Sequence, residues 1–451
     1  MNYSEKLHSL IPGGAHTYSR GDDQYPSNAP AILERGKGAY IWDPEGNKFL
    51  DYGMGLRSVT LGYDNDEVSD AAIAEIKKGN NLTRASVTEL KAAELMVNLF
   101  PWADMVKFAK NGSTVTTAAV KLSRAYTGRK YVAICAEHPF FTFDDWFIGT
   151  TAMDKGIPEE NKNLSLKFHY NNIRSLEDLF TRYPDQIACV ILEPAIAVSP
   201  CTADCNCNTL DKMACASCKN KNNNFLHQVK QVCTKHGAVF ILDEMITGFR
   251  WDLQGAQKVY DVEPDLATFG KGMANGFPLA ALIGKREIMN LGGILKEGAE
   301  RVFLISTTHG CEMSSLGAFI KAIDVYKTKN VTDHLWAYGK KLIEGMNGIA
   351  VEEGISDYFS AGGFACSPSY FTKDKDKNIS LEFRTLFSQE MIKKGVLIPW
   401  VALSYAHNDT ELNQTLDAVR TALKVYKQAL EKGIRPYLIG PAIKPVFRKY
   451  N

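Results

Sequence analysis

Short apolar runs alternate with segments of helical periodicity along the amino-terminal part of the chain. The apolar runs have the length of buried strands and lie at residues 105–109, 131–135, 187–192, 238–242 and 266–269. Between them, apolar side chains recur at intervals of three and four in residues 66–78 and 225–236, which is typical of amphipathic helices. Helices that alternate with short apolar strands predict an α/β fold with a doubly wound, mainly parallel sheet.

The pattern changes toward the carboxyl terminus. Helical spacing continues over three long segments, 313–327, 331–349 and 411–432. Strand-like runs are at 362–371 and 395–405, and a β-hairpin with a Pro-Glu-Gly-Asn turn is predicted for residues 41–51. We therefore expect a large domain of residues 61–311 and a smaller α+β domain formed by residues 1–60 and 312–451.

The composition indicates a soluble protein without a polyanionic partner. The chain has 451 residues, of which 45% are hydrophobic and 23% charged, and its formal net charge is +1. No basic excess points to nucleic acid or a membrane surface. The amino terminus lacks the pattern of a signal peptide, and no apolar run approaches the roughly 18 residues of a membrane span. We expect a cytoplasmic location.

Two strand ends carry the candidate chemistry. The run 238–242 ends in Asp243 and Glu244, and the run 266–269 is followed by Lys271 between two glycines. Pyridoxal phosphate (PLP) requires a lysine amine for a Schiff base and a carboxylate that keeps its pyridine nitrogen protonated. Taken alone, each segment favours an ordinary interpretation: a core strand that ends in a solvated Asp-Glu pair, or an unrelated surface lysine. The two together, in this order, favour a PLP enzyme.

A phosphate site is predicted where the strand at 105–109 gives way to a helix. Gly112, Ser113 and Thr114 lie at this junction, where backbone N–H groups and hydroxyls can face an anion at the helix N-terminus. An ordinary helix cap would use the same residue types. The prediction depends on the Asp243 and Lys271 segments that follow downstream.

With these elements in order, the chain resembles the class III, fold-type I PLP-dependent aminotransferases. Within that class it is similar to glutamate-1-semialdehyde 2,1-aminomutases and related sugar or carbonyl aminotransferases. The resemblance runs from residue 11 to about residue 432. It rests on PGG through Arg20 (12–20), NGSTV (111–115), ILEP (191–194), DEMITGFR (243–250) and GKG (270–272).

The resemblance implies a large domain with a mainly parallel, seven-stranded-type sheet and assigns roles to individual residues. Lys271 is expected to form the Schiff base and then to act as general base and acid, and Asp243 to pair with the pyridine nitrogen. Gly112 and Ser113 are expected to bind the cofactor phosphate. Thr307 is expected to reach the phosphate in the neighbouring subunit, which implies a homodimer.

Further residues are expected around the cofactor and the substrate. Met245, two residues beyond the aspartate, is expected to lie against one ring face, and either Phe140 or Phe141 to stack on the ring. Glu193 is expected near the ring oxygen, or alternatively in a salt bridge at a strand end. Arg20 is the candidate for the substrate carboxylate, with an ordinary surface arginine as the alternative.

Departures from the family pattern bear on the substrate. The loop at 137–146 is about three residues longer than usual, Thr114 replaces a glutamate, and residues 400–407 contain no glutamate. These differences favour an aminotransferase with a larger carbonyl acceptor, such as a keto- or aldehydo-sugar or an activated sugar. They disfavour the alternative, an aminomutase that forms 5-aminolevulinate. A non-catalytic protein with this fold is the third hypothesis, and the presence of both Lys271 and Asp243 argues against it.

A cysteine-rich insertion occupies residues 201–224. Its five cysteines are Cys201, Cys205, Cys207, Cys215 and Cys218. Four thiolates close a tetrahedral zinc site, and four cysteines also hold an iron–sulfur cluster. We expect a structural metal, zinc before iron–sulfur, with a loop of unligated thiols as the alternative. The insertion closely follows Glu193, so it is expected near the active-site mouth.

Overall fold

The computed structural model describes residues 2–201, 205 and 223–451. The chain divides into two compact units. The first comprises Met1–Asn65 and Asp333–Asn451, and the second comprises Asp66–Thr332. None of the helices among the described residues is long and apolar enough to cross a membrane.

The elements below are numbered in chain order over the described residues. The strands are β1 Arg35–Lys37, β2 Tyr40–Trp42, β3 Lys48–Asp51, β4 Met105–Ala109, β5 Tyr131–Cys135, β6 Ser165–Phe168, β7 Ile187–Leu192, β8 Val239–Asp243, β9 Leu266–Phe269, β10 Ala280–Gly284, β11 Phe359–Phe364, β12 Ser367–Thr372 and β13 Val396–Leu397. The helices are α1 Tyr3–Leu10, α2 Met54–Arg57, α3 Asp66–Ile76, α4 Val87–Leu99, α5 Gly112–Thr127, α6 Asp145–Ile148, α7 Glu159–Lys162, α8 Ile173–Arg182, α9 Phe225–His236, α10 Ala256–Tyr260, α11 Arg286–Met289, α12 Met313–Thr328, α13 Val331–Glu352, α14 Leu381–Lys393 and α15 Asp409–Lys432.

A seven-stranded sheet forms the centre of the second unit, in the order β4-β10-β9-β8-β7-β5-β6. Strands β9, β8, β7, β5 and β6 run parallel, and β10 is antiparallel to both of its neighbours. Every residue of β7, β8, β9 and β10 is buried, as expected for strands covered on both faces. The predicted α/β fold is confirmed, and the carboxyl ends of the parallel strands share one edge.

Helix α5, which follows β4, is capped at both ends. Asn111 caps α5 by accepting the backbone N–H of Thr114 at 3.0 Å. Gly128 ends the helix in the left-handed conformation, which glycine adopts without steric cost. The N-terminus of this long helix therefore lies at the same sheet edge as the carboxyl ends of the parallel strands.

The first unit combines the two chain ends. Its four-stranded sheet has the order β1-β2-β3-β13, and β2 and β3 pair antiparallel as the predicted hairpin. The strand-like run at 362–371 lies within a separate hairpin, β11 and β12. The run at 395–405 supplies only the two residues of β13, and the rest of it continues as irregular chain.

The α2 turn of the first unit is left-handed. Met54, Gly55, Leu56 and Arg57 have φ values of 41°, 55°, 60° and 69°. Such a conformation costs roughly 1–2 kcal/mol for each non-glycine residue. The buried carboxylate of Asp51 holds the turn, because it accepts the N–H of Met54 at 2.8 Å.

Candidate active site

Asp243 ends the central strand β8 and is almost fully buried. Its Oδ1 accepts two hydrogen bonds, from the backbone N–H of Met245 and from the hydroxyl of Thr268, each at 3.0 Å. Within the part of the chain that the structure describes, Oδ2 accepts none. Burial raises the pKa of Asp243 to about 6, against the opposing effects of the charge on Lys271 and the two hydrogen bonds. A buried carboxylate with one open oxygen fits a protonated pyridine nitrogen.

Lys271 follows β9, the neighbour of β8 in the sheet. Gly270 precedes it in an extended conformation, and Lys271 itself has a φ of 42°, in the left-handed region. A short 3-10 helix, Lys271–Ala274, begins at this residue. Asp243 of β8 is paired with Thr268 of β9, three positions before Lys271, and the positive charge of Lys271 opposes the rise in the pKa of Asp243. The sheet therefore brings the two predicted catalytic residues together.

Met245 lies between two glycines of the candidate site. A Cβ atom at Gly112 would come within 2.9 Å of the Met245 sulfur, and a Cβ atom at Gly270 would overlap it. The segment of Gly112, the methionine and the lysine turn therefore converge. Only glycine allows the thioether to lie against both backbones.

The phosphate loop is tied to the long loop after β5. The buried Ser113 accepts the backbone N–H of Phe143 through its Oγ at 3.1 Å. Its hydroxyl proton is then available to an anion at the N-terminus of α5. Thr114 instead turns its hydroxyl to the Asn111 cap, at 3.1 Å. The arrangement suits a phosphate beside Gly112 and Ser113.

The two candidate stacking rings differ in exposure. Phe141 is 2% exposed and packs edge-on against Phe147 and His138, each with ring centroids 5.5 Å apart. Phe140 is 45% exposed. Phe140 also packs edge-on against Phe147, but it is the more accessible of the two rings.

His138 is a buried polar residue that sequence reasoning did not assign. It is 4% exposed, and its Nδ1 accepts the backbone N–H of Glu193 at 2.9 Å. The proton of the neutral ring is therefore on Nε2, which has no hydrogen-bond partner among the described residues. Burial lowers the pKa of His138 to about 3, so the ring is neutral at physiological pH. The feature of the sequence that could have drawn attention to His138 is the lengthened loop directly after β5.

Glu244 is a buried carboxyl group with a structural role. It accepts the hydroxyl of Thr247 and the backbone N–H groups of Ala256 and Gln257, the latter two at 3.0 and 2.8 Å. Burial raises its pKa to about 7. Gly255 has a φ of 78°, and a Cβ there would come within 2.5 Å of the carboxylate. The residue fastens the chain between β8 and α10.

Two predicted residues are exposed. Thr307 lies in the irregular segment before α12, and its hydroxyl donates to the carbonyl of His309 at 2.9 Å. Arg20 ends a short 3-10 helix in the first unit and lines a cavity of that unit. Glu193, by contrast, is buried directly after β7.

The predicted metal ligands fall mostly outside the described residues. Cys201 is buried and Cys205 half-buried, whereas Cys207, Cys215 and Cys218 lie outside the described part of the chain. Among the residues that are described, no group of three or more His, Cys, Asp or Glu side chains is arranged to hold a metal. The structure thus gives no support for zinc or an iron–sulfur cluster, and the metal stays a prediction.

Comparison with known families decides the class of protein. The family model described as aminotransferase class-III matches residues 22–199 and 217–404. The chain belongs to the class III aminotransferases. The interruption of the match at 200–216 coincides with most of the cysteine-rich insertion. The resemblance predicted from the motifs is confirmed.

Relatives within the class have different activities. The 3-aminobutyryl-CoA aminotransferase of Cloacimonas acidaminovorans is 29% identical over 95% of this chain and 98% of its own length. A glutamate-1-semialdehyde 2,1-aminomutase of Persephonella marina is also 29% identical, over 94% and 98%. The solved FumI protein of Sphingopyxis sp. MTA144, in its PLP internal aldimine form, is 26% identical with a TM-score of 0.82 and covers 96% of this chain and 98% of its own.

Membership in this class makes the protein a PLP-dependent enzyme of the aminotransferase and aminomutase type. It removes the hypothesis of a non-catalytic protein. The described residues fit the cofactor, because the open oxygen of Asp243, the nearby amine of Lys271 and the glycine-lined helix N-terminus are the groups that PLP requires.

Proposed function

We propose that the protein is an aminotransferase that moves an amino group between a small amino donor and a carbonyl acceptor. The buried carboxylate of Asp243 beside the charge of Lys271, at the carboxyl edge of the sheet, supports this proposal most directly. When bound, PLP supplies the sink for electrons from the substrate carbon. Lys271 takes the proton from that carbon and returns it, and Asp243 holds the charge on the pyridine nitrogen.

The remaining residues of the site bind the cofactor and orient its ring. The backbone N–H of Gly112 and the hydroxyl of Ser113 would bind the phosphate, Met245 would lie against one ring face, and Phe140 would stack on the other. Glu193, held through its backbone by His138, organises the ring-oxygen side. The exposure of Phe140 and the burial of Phe141 support this choice of ring.

Thr307 is proposed to complete the phosphate site of a second subunit, so that the active unit is a homodimer. Its exposed position before α12 is compatible with that role. Light scattering on the active enzyme measures the assembly directly. A stable monomer with full activity would contradict this part of the proposal.

The acceptor is proposed to be a carbonyl compound larger than glutamate semialdehyde, such as a keto- or aldehydo-sugar or an activated sugar. Thr114 in place of the usual glutamate, with its hydroxyl turned to the Asn111 cap, supports a departure from the aminomutase substrate. The aminomutase activity is the second candidate, because several relatives that match most of the chain are glutamate-1-semialdehyde 2,1-aminomutases.

The experiment is a spectroscopic panel on the PLP-loaded enzyme. Amino donors and carbonyl acceptors are added singly, and the absorbance of the bound cofactor is followed. A change with an amino donor that is reversed by a separate carbonyl acceptor indicates an aminotransferase. Formation of 5-aminolevulinate from glutamate semialdehyde without a separate acceptor would establish the aminomutase instead.

The insertion is proposed to bind one structural metal, zinc or else an iron–sulfur cluster, through four of Cys201, Cys205, Cys207, Cys215 and Cys218. This proposal rests on the sequence spacing. Elemental analysis of anaerobically purified protein distinguishes zinc from iron with acid-labile sulfide. Five titratable thiols and no bound metal would refute it.

A further inference from the structure

The long loop after β5 lies against the first two turns of α5, the helix whose N-terminus is the candidate phosphate site. Three consecutive residues of the loop contact these turns. The carbonyl of Phe141 accepts the hydroxyl of Thr116 at 2.9 Å, and the backbone N–H of Phe143 donates to Ser113 Oγ at 3.1 Å. Between them, the hydroxyl of Thr142 lies 3.4 Å from the carbonyl of Ser113. The loop and the helix N-terminus are therefore joined by hydrogen bonds along their length.

Asp144, the next residue of the loop, accepts hydrogen bonds from two hydroxyl groups. Its Oδ2 accepts the hydroxyl of Thr142 at 3.0 Å and also the hydroxyl of Thr117, which lies in the second turn of α5. Trp146 completes the cluster, because its indole N–H donates to Thr117 Oγ1 at 2.9 Å. Thr117 thus accepts one hydrogen bond and donates another, and its hydroxyl joins the helix to the loop at both Asp144 and Trp146.

The cluster is largely shielded from solvent. Thr142 is fully buried, Trp146 is buried, and Thr117 and Asp144 are half-buried. Water competes poorly for hydrogen bonds at such a place, so the bonds keep their partners and their geometry. The backbone of Phe143, which lies between Thr142 and Asp144 in the chain, is held in place by these bonds.

The position of Phe143 bears on the direction of the Ser113 hydroxyl. A serine oxygen accepts through its lone pairs and donates its single proton in another direction. Because the N–H of Phe143 occupies one acceptor position of this oxygen, the proton points away from that N–H. Ser113 lies in the first turn of α5, where the helix dipole favours an anion. The proton is therefore available to the phosphate that this N-terminus is proposed to bind.

We infer that Thr117 and Asp144 are positioning residues for the cofactor phosphate. They hold the loop so that Phe143 orients the hydroxyl of Ser113 as a donor, and they act through Ser113 without contact to the phosphate. The inference rests on the proposed phosphate site at Ser113. Thr117 and Asp144 both lie outside the motifs that carry the family resemblance, and Asp144 belongs to the loop that departs from the family pattern.

The test compares PLP with pyridoxal, which lacks the phosphate, by absorbance titration of the cofactor-free, full-length protein. Thr117→Val removes the hydroxyl and retains the branched side chain, so it is expected to weaken PLP binding roughly fivefold and to leave pyridoxal binding unchanged. Thr117→Ser returns the hydroxyl and is expected to restore the affinity for PLP. Thr127→Val is the matched control, because it makes the same change at the other end of α5, where the hydroxyl donates to the carbonyl of Ser123.

A second pair of variants changes the cluster from the loop. Asp144→Ala removes the acceptor of both hydroxyls and is expected to weaken PLP binding at least as much as Thr117→Val does. Asp145→Ala is its control, because Asp145 is exposed and accepts the side chain of Asn161 outside the cluster. Melting temperatures identify variants that do not fold, and the Asp144 pair decides the question if Thr117→Val is one of them.

A double-mutant cycle shows whether Thr117 acts through Ser113. Ser113→Ala alone is expected to weaken PLP binding roughly tenfold, because it removes the donor itself, and Thr117→Val is expected to add no further loss in this background. Additive losses, equal losses for PLP and pyridoxal, or unchanged PLP affinity of Thr117→Val and Asp144→Ala would overturn the inference. If Ser113→Ala itself leaves PLP affinity unchanged, the proposed phosphate site is wrong and the inference falls with it. The proposed transamination is tested separately, by the panel of amino donors and acceptors.

Discussion

The sheet edge of the second unit and the cavity of the first unit bring charged residues together in different ways. At the edge, Asp243 ends one buried strand and Lys271 lies just beyond the end of its neighbour, and the buried carboxylate accepts two hydrogen bonds. In the cavity, Arg20 and Lys444 are exposed and come from opposite ends of the chain. We propose that the first arrangement carries out the reaction and that Arg20 in the second contributes to substrate affinity. The effects of substitutions should therefore differ between the two regions: we expect a loss of kcat at the sheet edge and a smaller effect, on KM, at Arg20.

The largest expected effect is at the lysine. Lys271→Ala is expected to lower turnover by about 10⁴-fold, because it removes both the group that attaches the cofactor and the general base. Lys258→Ala, an exposed lysine of α10, is the matched control. Borohydride reduction followed by peptide mapping should locate the pyridoxyl group on Lys271. A label on another lysine would refute the assignment.

The two adjacent phenylalanines separate packing from ligand contact. Phe141→Ala is expected to cost about 3–5 kcal/mol of unfolding free energy, because the ring is buried against His138 and Phe147. Phe140→Ala is expected to leave stability nearly unchanged and to weaken PLP binding. Denaturant unfolding and PLP titration measure the two quantities. The reverse assignment of the rings would give the opposite result.

Asp243→Asn tests how far turnover depends on the negative charge of this carboxylate. The amide retains the shape and the hydrogen bonds but cannot hold the pyridine nitrogen protonated, so kcat is expected to fall about 10²-fold. Arg20→Gln is expected to raise KM for an anionic substrate about tenfold while kcat is retained. Steady-state kinetics on both variants compare the two regions directly. Equal losses in kcat would remove the distinction between them.

The smallest expected effect is a pH dependence of the cofactor-free protein. The pKa of Asp243 is about 6 in the folded state, above its ordinary value of 3.8. Because folding raises this pKa, the stabilising contribution of the protonated carboxyl is complete below pH 3.8 and is lost as the pH rises through about 6. Between pH 5 and 8, wild type should lose about 1 kcal/mol more than Asp243→Asn. Parallel pH curves in urea unfolding would contradict the assigned burial.

The local sequence pattern was sufficient to predict that Asp243 and Lys271 lie at the same edge of the sheet. Asp243 and Lys271 follow apolar runs that form β8 and β9, and parallel neighbours share their carboxyl edge. The choice between Phe140 and Phe141 was open because adjacent residues of a loop have no fixed periodicity. His138 was missed because its role depends on a bond to Glu193, 55 positions away.

The small unit was harder to predict. The contact between Asp23 and Arg448 spans 425 positions, and no local pattern reports such a pair. The helix predicted at 313–327 was assigned to the carboxyl-terminal domain, but α12 packs on α3 and α4 within the second unit. Helical spacing gives the buried face of a helix and does not identify the partner that covers it.

The division of the chain also affects the order in which the protein matures during synthesis. The unit Asp66–Thr332 is continuous, so all of its contacts are available once that stretch has left the ribosome. The segment before this unit forms strands β1, β2 and β3, yet the fourth strand of their sheet, β13, and the carboxyl-terminal tail are made only after the unit. Closing so long a loop is slow relative to local contacts. The segment that carries Arg20 therefore gains these neighbours only after the whole of the second unit has been made.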